Sequence, residues 1–143
     1  LARIDREFAP PAERVRLLEA SDIFEPLAPS TVEQLALSLG ESSARAGEAV
    51  VTQGEEGELF YLIESGRVEV FENGVRKREE GPGEHFGEIA LLREIPRTAT
   101  VKAIEDSNFL TLTSEDFIEA VVGNSLSSEA AERVIATRVG AGR

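Results

Sequence analysis

Apolar residues recur with two different periods along this chain, and the change from one to the other marks its organisation. Val15 and Leu18 stand at helical spacing after Pro10-Pro11 and ahead of Ile23-Phe24, which predicts a charged linker followed by a short helix. Val32, Leu35, Ala36 and Leu39 then form an i, i+3, i+4, i+7 stripe. Ser30 and Glu33 precede it in a capping-box arrangement and Gly40 follows it, so a helix is expected between them.

From Glu41 to about Leu112 the period shortens to two, with glycines at 47, 54, 57, 66, 74, 81, 83 and 87 between short apolar runs. Leu59, Tyr61 and Ile63 fall on one face of a strand and Phe60 and Leu62 on the other, which predicts an internal strand covered on both sides. Gly66 turns the chain into Arg67 to Phe71. Asn73-Gly74 supplies the positive-φ pair of a type I′ hairpin, and Val75 begins the return strand. Thr98 to Ile104 and Asn108 to Leu112 read as two more strands, joined at Glu105-Asp106-Ser107. Helical spacing then returns. Thr113 and Asp116 cap a helix carrying Phe117, Ile118, Val121 and Val122, which Gly123-Asn124 ends; a last helix from about Ser128 to Val139 places Ala131, Val134, Ile135 and Val139 near one face. Short strands at this spacing imply a sandwich or barrel flanked by helices.

Length and composition suit one soluble domain: 143 residues, 41% hydrophobic and 29% charged. Charge sharpens the picture. Fifteen basic against twenty-seven acidic residues leave a net charge of -12, which opposes a nucleic-acid backbone; a small anion is held only where a local arginine and oriented amides overcome that field. The chain has no cysteine and one histidine, so thiol chemistry is excluded and a metal centre is poorly supplied; His85 reads as a loop or surface residue. No partnered nucleophile and base are visible, and an enzyme is not expected. No apolar run approaches the roughly eighteen residues of a membrane helix. Methionine is absent, which suggests a segment of a longer protein whose effector lies elsewhere.

Strand alternation breaks between Gly81 and Val101, in GPGEHFGEIALLREIPRTATV. Glu88 to Leu92 suit one helical turn entered through Gly87, where backbone N–H groups face an approaching anion. Pro96 ends that turn, and Arg97, at the expected start of a strand, has the fork geometry for phosphate oxygens. Taken singly, Gly87 also suits an ordinary tight turn, Glu88 a helix N-terminal acid, and Arg97 a surface partner of Glu94. Phe86, Leu91 and Leu92 read as anchors of the segment to the core.

Phe86-Gly87-Glu88-Ile89-Ala90-Leu91-Leu92, three residues, then Pro96-Arg97-Thr98-Ala99-Thr100-Val101 resembles the phosphate-binding cassette of the cyclic nucleotide-binding domain family. The resemblance extends over about residues 22–139, through Gly54 to Ile63 and the Gly66 turn. It implies a mainly β fold with flanking helices: a double-stranded β-helix jelly roll with an N-terminal helix, a short cassette helix and two C-terminal helices. Residues 1–21 would be linker and N-terminal helix, 22–139 the domain and 140–143 a tail. It further implies that Arg97 pairs with the cyclic phosphate and Glu88 accepts from the ribose 2′-hydroxyl. Gly87, Ile89 and Ala90 would offer backbone contacts, Thr98 an amide or hydroxyl, and Phe86 and Ala99 would border the ligand.

The expected function is a cAMP- or cGMP-binding sensor in the cytoplasm, without a cofactor, that controls a fused or associated effector, with room for a homodimer. The layout is similar to that of some bacterial transporters with a C-terminal regulatory domain. No side chain is assigned as lid over the base, although Val134, Ile135 and Arg138 are placed to be considered. The alternative is a jelly-roll module for protein contacts or dimerisation that binds no nucleotide.

Overall fold

In the computed structural model, which describes residues 12–122 and 129–136, the strand with two apolar faces is the partition between two cores. The elements are α1 (Ala12–Glu19), α2 (Pro29–Ser38), β1 (Gly40–Ala44), β2 (Ala49–Val51), β3 (Leu59–Ser65), β4 (Val68–Glu72), β5 (Val75–Glu80), β6 (His85–Phe86), α3 (Glu88–Arg93), β7 (Thr100–Ala103), β8 (Ser107–Thr113) and α4 (Ser114–Val122), followed by helix over 129–136. Two four-stranded antiparallel sheets, β1-β8-β3-β6 and β2-β7-β4-β5, face each other as a jelly roll.

β3 runs between β8 and β6, so its alternate side chains serve both layers. Tyr61 and Ile63 join Val68, Val70, Phe86, Val101 and Phe109 between the sheets. Phe60 and Leu62 point the other way, toward Leu110, Leu112 and the apolar faces of the helices, among them Phe24, Leu35, Phe117, Val121 and Ala131. The Phe60 ring stacks on Phe117 at 4.6 Å and meets the edge of Phe24 at 5.4 Å. Leu18 of α1 is fully buried in this helical core, so the helix before residue 22 packs with the rest.

Local chemistry explains most boundaries. Asn73 and Gly74 take φ 53° and 79°, the hairpin geometry expected of them. Thr113 Oγ1 accepts from the Asp116 N–H at 3.2 Å and caps α4. The capping box at Ser30 and Glu33 does not form. Its helix starts earlier, at Pro29, whose fixed φ suits the first helical position, and Ala28 stands at the N-cap without a side-chain bond. Gly40 does not end that helix but opens β1, where a Cβ would lie 2.8 Å from Thr111 Oγ1 across the sheet. Gly123-Asn124 and Val139 lie outside the described residues.

Phe60→Ala removes the ring that joins β3 to α4, and the loss should be about 3–5 kcal/mol of unfolding free energy. Urea denaturation checks this, and a loss below about 1 kcal/mol would contradict the two-sided role of β3.

Candidate functional site

Gly87 makes the corner from β6 into α3 with φ 99°, in the left-handed region. Space imposes the same choice, because a Cβ there would come within 2.7 Å of Arg97 Nη1 and 3.1 Å of Leu59 O. α3 lasts six residues and closes at Glu94, also left-handed with φ 53°. Pro96 follows, and the chain then runs alongside the turn before β3. The Arg97 N–H donates to Glu55 O at 2.8 Å, and the Gly54 N–H donates to Arg97 O at 2.8 Å. Arg97 therefore does not begin a strand as expected. Its backbone pairs with a loop, and β7 starts only at Thr100.

These bonds hold the Arg97 side chain inside the protein, 6% exposed. Nη2 donates to Leu59 O at 2.7 Å and Nη1 to Gly87 O at 3.2 Å. Cζ lies 5.9 Å from the centre of the Tyr61 ring. Gly57 leaves the guanidinium its room, since a Cβ there would be 2.6 Å from Cζ. Among the described residues, Arg97 belongs to none of the ion pairs. Burial pushes its pKa below the ordinary arginine value, against the pull of Tyr61 and Glu88. Guanidinium stays protonated even so, and what results is a buried cation whose hydrogen bonds go to carbonyl oxygens.

Phe86, Gly87, Glu88, Ile89, Ala90, Arg97, Thr98 and Ala99 line one cleft together with Val51, Val70, Arg78 and Val101. Phe86 is buried and stacks on Tyr61 at 4.9 Å, Ile89 and Ala99 are half-buried, and Thr98 is exposed. Arg78 carries no motif and was not foreseen as a lining residue. Its Nε donates to Glu80 Oε2 at 3.1 Å, and Glu80 is 2% exposed, so a buried carboxylate fixes this second guanidinium.

Glu88, at 1% exposure, is as deeply placed as any core side chain. Its Oε1 lies 3.1 Å from Nδ1 of His85. This corrects the surface reading of His85. β6 pairs with β3, placing His85 opposite Leu62, and alternation sends its ring toward the helical core while Phe86 faces the other way. The imidazole is 7% exposed and sits 5.5 Å from Phe60. A two-residue strand is too short to show a period, so only the spacing of His85 and Glu88 pointed to this pair. Among the described residues there is no group of three or more His, Cys, Asp or Glu that would hold a metal.

The sequence model of the family described as Cyclic nucleotide-binding domain matches residues 41–124, more than half of the chain. The chain belongs to that family. It is 36% identical over 110 residues to the Cyclic AMP receptor protein of Thermus thermophilus, covering 73% of this chain and 50% of that protein. It is 48% identical over 68 residues to a cAMP-dependent protein kinase regulatory subunit of Yarrowia lipolytica, covering 48% of this chain and 18% of the relative. The chain thus spans half or less of the length of these relatives. A solved structure described as Sp-2Cl-cAMPS bound to PKAR CBD2 superposes with a TM-score of 0.79 over 91% of this chain and 90% of that one, at 23% identity, and shows a shared fold.

Within this cyclic nucleotide-binding domain the cassette also touches the C-terminal helices. Leu91 is buried in the helical core beside Phe117, Val121 and Ala131, and Leu92 packs against it half-buried. Arg93 makes a two-pronged bond to Glu132, at 2.8 and 2.7 Å, across to the helix over 129–136. Of the side chains considered as a lid, Ile135 is buried, Val134 packs half-buried against the helical core, and Arg138 lies outside the described residues.

Gly87→Ala must absorb a positive φ and a Cβ crowding Arg97, so it should lower unfolding free energy by about 1–3 kcal/mol. Chemical denaturation measures the change, and a variant as stable as the parent would show that the corner is not constrained.

Proposed function

We propose that this chain is a sensor module for a cyclic nucleotide, cAMP or cGMP, acting by ligand-dependent movement of its helices and not by catalysis. The observation that carries this reading is Arg97, a buried cation that belongs to none of the salt bridges among the described residues and lines a cleft together with the Gly87 corner. In a chain of net charge -12, burying such a group outside a salt bridge costs stability, and a guest that brings negative charge offsets that cost. The cAMP named in the Thermus and Yarrowia relatives is a guest of that kind.

In this reading the cyclic phosphate takes the Arg97 donors that Leu59 O and Gly87 O leave over. Glu88 accepts from the ribose 2′-hydroxyl, backbone groups of Gly87, Ile89 and Ala90 complete the phosphate and sugar contacts, and Thr98 adds a hydroxyl at the mouth. Phe86 and Ala99 shape the wall. Binding is stronger to the conformer in which α3 is drawn inward, and only that difference in affinity transmits a signal. α3 is joined to the C-terminal helices through Leu91 in the core and Arg93 on Glu132, which supports a concerted shift. The exposed Arg93 pair contributes direction more than energy.

We place the module in the cytoplasm, controlling a fused or associated effector, of which a membrane transporter is one candidate; no helix among the described residues is long and apolar enough to cross a membrane. A protein-contact module that ignores nucleotides gains nothing from holding a guanidinium buried outside a salt bridge.

Arg97→Ala should weaken cAMP binding by about 2–5 kcal/mol, while Arg97→Lys keeps part of the affinity. Titration calorimetry with cAMP and cGMP reads both. Unchanged affinity in the alanine variant would refute the phosphate role, and a parent protein that binds neither nucleotide would refute the sensor.

A further inference from the structure

We infer that Arg78 selects the base of the ligand: its guanidinium stands at the end of the cleft away from Arg97 and favours guanine over adenine, so that cGMP is preferred; this deepens the sensor reading proposed above and rests on it. Strand pairing lays out the floor of the cleft. Val51 stands opposite Val101, Val101 opposite Val70 and Val70 opposite Arg78, in one row across β2-β7-β4-β5. Directly paired residues share a face of the sheet, and all four line the cleft. Val70 and Val101 are buried between the sheets, so this is the inward face. The valines form an apolar strip suited to the face of a purine, and β5 completes the row with a cation where the inward face otherwise carries apolar side chains.

Arg97 belongs to the opposite end. Its backbone pairs with Gly54 and Glu55 in the loop that follows β2, and β2 and β5 are the two edges of this sheet, three strand spacings of roughly 4.8 Å apart. The two guanidinium groups also differ in charge balance. Arg97 forms no salt bridge among the described residues, whereas Arg78 Nε donates to Glu80 Oε2 at 3.1 Å, and that carboxylate is buried. A cation outside a salt bridge suits the phosphate; one already held by a carboxylate suits neutral acceptors. Nη1 and Nη2 carry the donors of Arg78 beyond Nε, and the side chain is 30% exposed, within reach of a guest. Guanine presents O6 and N7 side by side, two acceptors that match two guanidinium N–H groups. Adenine has an amino group in place of O6, so that donor would face donor. The cAMP named in the relatives is thereby the weaker ligand of this cleft.

Titration calorimetry with cGMP, cAMP and the inosine analogue cIMP tests this in the wild type and Arg78→Ala. Inosine keeps O6 and N7 but lacks the 2-amino group of guanine, so it isolates the edge that Arg78 reads. The wild type should bind cGMP and cIMP at least about tenfold more tightly than cAMP, and Arg78→Ala should lower both ratios by about tenfold. If Arg78→Ala shows no cooperative thermal transition, because Glu80 is left buried without its partner, Arg78→Met combined with Glu80→Gln is read in its place; it removes both charges, and the same fall is expected. A wild type that binds cAMP as tightly as cGMP, a cIMP affinity no better than that of cAMP, or ratios that survive the loss of Arg78 overturn its selecting role while the sensor stands. A wild type that binds none of the three overturns the sensor reading and this inference with it.

Discussion

The structure depends on how an acidic protein keeps one positive charge dry. Arg97 is buried, yet its visible partners are carbonyl oxygens, an aromatic ring and the space left by two glycines. Each of these comes from a different part of the chain. Leu59 and Tyr61 belong to β3, Gly57 to the turn before it, and Gly87 to the corner of the cassette. The guanidinium therefore ties three segments together, and a change in what it binds is felt by all of them.

β3 links that charge to the helices. Its Tyr61 face looks into the layer between the sheets, where Phe86 and Phe109 surround the cleft side, and its Phe60 face looks into the helical core. The cassette straddles the same partition: Phe86 packs on one side, and His85 and Leu91 on the other. A packed core has discrete arrangements and deforms little between them, so the inward movement of α3 proposed above would shift α4 and the helix over 129–136 with it.

Sequence reasoning reached the parts of this arrangement that repeat or that need a special residue. The two faces of β3, the Asn73-Gly74 hairpin and the Thr113 cap follow from period, turn chemistry and capping, each a local property. The eight cassette residues meet in one cleft because the motif is continuous in the chain apart from a short insert. What escaped was decided by distant partners. His85 reads as a solvated loop residue until β6 is seen paired with β3, and Arg78 gains its place only from Glu80 and the wall of the cleft. Ser30 and Glu33 form a valid capping pattern, but Pro29 had already begun the helix. Arg97 lies buried at the cleft, but its backbone pairs with the loop at Gly54 and Glu55 instead of with a strand, a contact more than 40 residues away in the chain.

Side-chain 1H–15N spectra of the arginines, recorded while cAMP or cGMP is added, follow that buried charge most directly. The account predicts that the Arg97 guanidinium resonances move in step with the amides of Gly87 and Ala90 and saturate together. Arginine and cassette signals that stay in place up to millimolar concentrations of both nucleotides would contradict it.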